Sequence, residues 1–363
     1  MRTFRTPMIA LLAAAALPTG TGAAAAPTPA SPPGQTAVAI PREPYPAPDP
    51  IYRMATQDQG RILRHGDGPD QCDLNGAREP SIVSEDGTYY LFYDGAGPTG
   101  WLACLATSTD LVNWTKRGRM LALGKPGDPD AAFAGSPWFI KERDTWHMFY
   151  ITARTATPPP DLVAAGPYNA MKATSKALTG PWVKTAGFVP LDPRVGTFPD
   201  QMAFPGHIVK HQGEYLMFFG APGAVGIART QDLNAKWTLA PEPLFASGHY
   251  DIENSSVYYE KANKTWFLFV NHIGRHDGLM YTDATWVFWT RDINTWDGRN
   301  RAIVLDGQNC TWSTKCIGMA TVLPVGKRLA VFYDAPGGDS VSHMKRDIGL
   351  AWLELPLLQP GSK

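Results

Sequence analysis

Two glutamates each stand at the head of an apolar strand pattern. Glu253 lies in Asp251-Ile252-Glu253-Asn254-Ser255-Ser256-Val257, and Glu79 in Arg78-Glu79-Pro80-Ser81-Ile82-Val83. Asp73, Asp130 and Asp200 lie a few residues upstream of three such heads. Paired carboxyls do acid–base chemistry when their surroundings push their pKa values apart. One is kept protonated by burial and by neighbouring negative charge, and it donates; the other is ionised, and it activates water or attacks carbon. Applied to a sugar acetal, this is glycosidic bond cleavage. Catalytic zinc is not expected.

What brings such carboxyls together is a repeated unit. Two apolar strands joined by a polar hairpin recur five times, with Tyr89-Tyr90-Leu91-Phe92-Tyr93, Trp146-His147-Met148-Phe149-Tyr150, Tyr215-Leu216-Met217-Phe218-Phe219, Trp266-Phe267-Leu268-Phe269-Val270 and Arg328-Leu329-Ala330-Val331-Phe332-Tyr333 as second strands. A third strand follows and runs into a turn ending in tryptophan, as in Ser108-Thr109-Asp110-Leu111-Val112-Asn113-Trp114 and Thr290-Arg291-Asp292-Ile293-Asn294-Thr295-Trp296. The step varies over roughly 50–70 residues, which suits propeller blades with variable loops and not a solenoid of fixed step. The expected fold is all-β, a five-bladed β-propeller. Its innermost strands enter the central channel at one end, so their heads converge: Glu79, Ser136, Pro205, Glu253 and Met319. Asp94-Gly95 and Asp334-Ala335-Pro336-Gly337 follow inner strands and read as turns.

Composition bounds the partners. The chain has 363 residues with Lys+Arg 33 and Asp+Glu 33, a balance that gives no reason to expect nucleic acid or an anionic membrane. Residues 1–26 carry Arg2 and Arg5, an apolar run too short to cross a bilayer, and then small residues, which is the pattern of a secretory signal peptide. Residues 27–50 form a Pro/Ala-rich leader, and 51–363 the propeller domain. The expected location is secreted, extracellular or periplasmic. Four cysteines in an exported chain suggest two disulfides, Cys310–Cys316 and Cys72–Cys104 by proximity, among three connectivities.

The repeat heads, the Ser-Thr-Asp-Leu-Val-Asn-Trp type of ending and the order of acidic positions resemble the five-bladed propeller glycosidases. These include glycoside hydrolase families 43, 32, 68, 117 and 130. The likeness covers about residues 60–356, and family 43 is the member to which the pattern is most similar. It implies a glycoside hydrolase acting on a polysaccharide or oligosaccharide, on pentose units such as arabinofuranosyl or xylosyl, by inversion. Glu253 falls where that family has its acid in Glu-Gly-Pro, with Asn254-Ser255 in place of Gly-Pro. Arg78-Glu79-Pro80 replaces the family's Arg-Asp-Pro, which makes Glu79 the base, with Asp73 its rival. Asp200 takes the third acidic role. Arg78, Trp138, His207 and His343 are the candidate substrate contacts. No cofactor is expected beyond a structural calcium or sodium ion. Within the superfamily, a fructan-active enzyme is an alternative, although no Asn-Asp-Pro-Asn-like motif opens the first blade. So are an anhydrogalactose-releasing enzyme and a phosphorylase. A non-catalytic glycan-binding propeller is the alternative from another class.

Overall fold

The computed structural model describes residues 52–192, 202–245, 251–276 and 278–360. The signal peptide, the leader and Asp200 lie outside the described residues. The second strands are apolar on both sides of the sheet, because each is buried between neighbouring blades. Five antiparallel sheets result. The first is Ala77–Glu85, Thr88–Gly97, Gly100–Ser108 and Thr115–Arg119. The second is Phe133–Glu142, Thr145–Ala153, Asn169–Ser175 and Val183–Lys184. The third is Ile208–His211, Glu214–Ala221, Ala224–Thr230 and Thr238–Leu239. The fourth is Ile252–Glu260, Thr265–His276, Leu279–Thr290 and Arg301–Asp306.

The fifth blade takes Thr321–Val325, Arg328–Ala335 and Asp347–Glu354 from the end of the chain. Its outer strand, Gln57–Leu63, comes from the beginning. Pairing the two ends removes the edge that a ring of separate blades would leave open. Trp352 Nε1 donates to Gln59 Oε1 across this closure at 2.6 Å. Around the axis, Ala77–Glu85 touches Phe133–Glu142, which touches Ile208–His211; Ile252–Glu260 touches Thr321–Val325, which returns to Ala77–Glu85. Glu214–Ala221 bridges the third and fourth blades, so the five-bladed β-propeller is closed.

The core lies between the blades, not at the axis. Leu91 and Tyr93 meet Phe332 and Leu350, Phe92 and Leu105 meet Met148 and Tyr150, and Phe149 meets Met217 and Phe219. Phe218 and Ile227 meet Leu268 and Trp286, and Phe269 and Val287 meet Val331 and Tyr333. The tryptophan-ending turns have a shared logic. Asp110 Oδ1 accepts from the N–H groups of Val112 and Asn113, which fixes the turn, and Leu111 inserts with 3% exposure. Trp114 Nε1 then donates back to the Leu111 carbonyl at 3.1 Å, as Trp296 Nε1 does to Ile293. The rings pack edge-on against the phenylalanine of the preceding blade: Trp114 on Phe332, Trp237 on Phe149 and Trp296 on Phe218. Such edge-to-face pairs add about 0.5–1.5 kcal/mol to the burial itself.

Two expectations need correction. All four cysteines are buried free thiols, so neither disulfide is formed. Cys310 Sγ faces the Tyr333 hydroxyl at 3.5 Å, whereas Cys316 Sγ accepts from Arg346 Nη2 at 3.2 Å; Cys72 and Cys104 share one core cluster as thiols. Asp94 and Asp334 are not in turns. They lie inside Thr88–Gly97 and Arg328–Ala335, fully buried. Among the described residues, no helix is long and apolar enough to cross a membrane.

Candidate active site

Three of the five heads share a local distortion. The ladders shift register between Arg78 and Ser81, between Gly135 and Trp138, and between Glu253 and Ser255. At these bulges Glu79, Ser136 and Asn254 hold φ of 51°, 45° and 50°. A non-glycine residue in this region costs on the order of 1–3 kcal/mol and persists only where its surroundings fix it, which happens at functional sites. A bulge also re-aims the side chains that flank it.

What fixes the Glu79 bulge is a buried carboxylate from the fifth blade. Glu79 N–H donates to Asp334 Oδ2 at 2.9 Å. Asp334 Oδ1 accepts from Arg346 Nη1 at 2.8 Å, and Arg346 also donates from Nε to the Ser342 carbonyl. The first blade repeats the device for its neighbour: Asp94 Oδ1 accepts from Ser136 N–H. Both carboxyls sit where a β-carbon at Gly318 or Gly135 would collide with them, so glycine is required at each point of approach. Asp334→Ala leaves Arg346 buried and unpaired, and is expected to lower unfolding free energy by about 3–5 kcal/mol in a denaturant titration.

The Glu79 side chain is held on both oxygens. Oε2 is hydrogen-bonded to Ser136 Oγ, and Oε1 lies 3.3 Å from Arg78 Nη2. Arg78 is itself placed by stacking over Trp101, 4.3 Å from the ring centre, and by contact with His343 Nε2. Burial, then the charges of Arg78 and Arg346, hold the His343 imidazole well below its ordinary range, so it is neutral.

Glu253 stands close enough to Glu79 to feel its charge. Burial first, and that charge second, push its carboxyl up to about 7, against smaller opposing effects of Asn271, Arg78 and Arg346. Asn271 Nδ2 lies 3.5 Å from Glu253 Oε1, on the neighbouring strand and directly opposite in register. The pair has the asymmetry that acid–base chemistry needs, one carboxyl proton-retaining and the other clamped by an arginine. Tyr168 is partly buried within reach of the charges of both glutamates. Its phenol is raised chiefly by burial and also by their charges, and its hydroxyl donates to the Ala164 carbonyl at 2.8 Å.

The remaining candidates are distributed differently. Arg78 and His343 join Glu79 and Glu253. Asp73 is fully buried in another network: Oδ1 accepts from Gly68 N–H at 2.8 Å, and Oδ2 from Tyr93 Oη at 3.1 Å and Lys116 Nζ at 2.6 Å. Asp130 pairs with Lys184. Trp138 has 3% exposure, and its ring stacks on His207 at 5.5 Å. His207 Nδ1 accepts from Val257 N–H at 2.8 Å, which puts its proton on Nε2, and burial lowers it to about 4. Spacing and residue type do not mark Asp94, Asp334, Arg346, Asn271 or Tyr168 as site residues. A signal was present for the first two: Phe92-Tyr93-Asp94 and Phe332-Tyr333-Asp334 end apolar strands in adjacent blades with the same acid. Among the described residues, no group of three or more His, Cys, Asp or Glu is arranged to hold a metal ion.

Comparison with known proteins agrees with the propeller fold. Residues 78–286 match the family model of the glycosyl hydrolases family 32 N-terminal domain. A stretch of 52 residues is 40% identical to the 1,2-beta-oligomannan phosphorylase of Thermoanaerobacter sp. (strain X514); it covers 14% of this chain and only 18% of that protein. Among solved structures, the catalytic domain of the Coprinopsis cinerea GH62 alpha-L-arabinofuranosidase superposes with a TM-score of 0.62 at 15% identity, over 83% of this chain and 97% of that one. An exo-1,5-alpha-L-arabinanase from a bovine ruminal metagenomic library gives 0.53 at 18% identity, over 76% and 93%. At these identities the likeness is one of fold.

Proposed function

The chain belongs to the glycosyl hydrolases family 32 N-terminal domain family, and from that premise we propose that it cleaves a glycosidic bond with Glu253 as general acid and Glu79 as general base. One observation carries the reading: glutamates from two different blades act on each other's charge, and burial together with the Glu79 charge holds Glu253 protonated up to about 7. Glu253 donates its proton to the departing glycosidic oxygen. Glu79, clamped by Arg78 and Ser136, takes a proton from a water that attacks the anomeric carbon from the opposite face. The product then has inverted configuration. Arg78, 3.3 Å from Glu79, supplies a hydrogen-bond donor for the sugar, and Tyr168, within reach of both glutamate charges, the aromatic wall.

The substrate we propose is an arabinofuranosyl- or xylosyl-bearing polysaccharide or oligosaccharide, met outside the cell after export. The arabinofuranosidase and arabinanase names of the fold neighbours support the sugar, and the basic, apolar and small-residue order of residues 1–26 supports export. A fructan-active enzyme is the second reading within the superfamily, and against it stands the lack of an Asn-Asp-Pro-Asn-like motif opening the first blade. The test is hydrolysis of a panel of aryl glycosides, arabinans, xylans and fructans, with and without inorganic phosphate. The first-formed anomer is read by NMR. Release of free pentose of inverted configuration is expected. Release of fructose would give the second reading, and sugar phosphate formed only with phosphate would make the enzyme a phosphorylase.

A further inference from the structure

Ser136 presents a counting problem. Its Oγ is within hydrogen-bond distance of Glu79 Oε2, and lies 2.8 Å from Asp94 Oδ2. Its N–H is already given to Asp94 Oδ1. A hydroxyl carries one proton, so it donates to one carboxyl and must accept from the other. Two ionised carboxylates therefore cannot both be satisfied by this residue. One of them holds a proton.

Which one is decided by surroundings. Asp94 has no exposed surface, whereas the Glu79 side chain is 16% exposed and has Arg78 Nη2 at 3.3 Å. The charge therefore belongs on Glu79. Burial, then the charge of Glu79, raise the Asp94 carboxyl well above the ordinary range, in agreement with the count. The other charged or titratable groups facing this pair are Arg78, Glu253, Asp334, Arg346, Tyr168 and the Cys104 thiol.

We propose that Asp94 is a neutral, protonated positioning residue that donates to Ser136 Oγ, so that Ser136 donates in turn to Glu79 and keeps that glutamate as the ionised member of the pair. Asp94 Oδ2–H supplies the first hydrogen bond and Ser136 Oγ–H the second, with no net proton transfer. Neither residue touches substrate; both act through Glu79. The inference rests on the reading of Glu79 as base, and it explains why a carboxyl is buried beside the base without doubling the negative charge.

The test is the pH profile of kcat/KM in three variants of the full chain. Ser136→Ala removes a hydrogen bond that favours charged Glu79, so the acid limb should move to higher pH by roughly one unit, with kcat at the optimum down roughly tenfold. Asp94→Leu should move the limb in the same direction. Asp94→Asn should restore it, since the amide Nδ2–H replaces the acid O–H as donor to Ser136 and its oxygen still accepts the Ser136 N–H. An ionised Asp94 would give the opposite sign: its neutralisation by Asn would move the limb to lower pH. That result, or an unmoved limb in Ser136→Ala, would overturn the proposal. A second measurement needs neither substrate nor a stable Leu variant. The infrared spectrum of the parent at neutral pH should contain a protonated-carboxyl C=O band that is missing in Asp94→Asn. Without that band, Asp94 is not protonated and the proposal fails. With the band but without hydrolysis of any glycoside, it is the glycosidase reading that fails.

Discussion

Glu253→Gln is expected to lower kcat on natural glycosides by roughly 10²–10⁴-fold, the range for loss of a general acid. KM should change much less, because the proton is delivered in the transition state and not in the ground-state complex. The amide keeps the shape of the side chain and its approach to Asn271. The fold should therefore be unchanged, which the midpoint of thermal unfolding would check. The parent profile gives the same residue a second signature. An acid works only while it holds its proton, and burial together with the Glu79 charge holds that of Glu253 up to about 7. kcat/KM should thus fall as pH rises through about 7, and this basic limb should vanish in the variant. A limb of unchanged position in Glu253→Gln would assign it to another group.

Glu79→Gln should cost as much, roughly 10²–10⁴-fold in kcat, because it removes the group that activates water. The pH signature is reversed. A base works only when ionised, so it is the acid limb that this substitution should abolish. Glutamine can still accept from Ser136, and its backbone N–H still reaches Asp334, so the bulge should survive. A small nucleophilic anion such as azide could occupy the place of the water and restore part of the activity. It would not help Glu253→Gln on a substrate whose leaving group needs protonation. A Glu79→Gln enzyme with near-parental kcat would remove this residue from the mechanism.

The fold and the placement of the two glutamates at strand heads are legible because their signals are local and repeated. Each hairpin is written in contiguous residues, and each second strand is apolar on both sides. Five copies imply a ring, and a ring brings strand heads together. What was not legible is carried across the ring. The Asp334 carboxyl is 255 residues from the Glu79 amide that it holds, and Ser136 reaches Glu79 across 57. Buried acids at strand ends look like turn residues until the bulge in the next blade shows which N–H they accept from. The cysteines misled for a different reason. Even number and short spacing suggested disulfides, but burial and side-chain direction separate Cys310 from Cys316, and neither can be read from spacing.

The central claim is a division of labour, with Glu253 acting on the leaving group and Glu79 on the water. The measurement that tests it most directly is the dependence of kcat/KM on leaving-group pKa, across a series of aryl glycosides, in the parent, Glu253→Gln and Glu79→Gln. The account expects the loss in Glu253→Gln to grow steadily as the leaving group becomes more basic and to nearly disappear for the most acidic phenol, which departs without a proton. It expects the loss in Glu79→Gln to be the same along the whole series. Parallel losses in both variants, or a slope that belongs to Glu79→Gln, would contradict it.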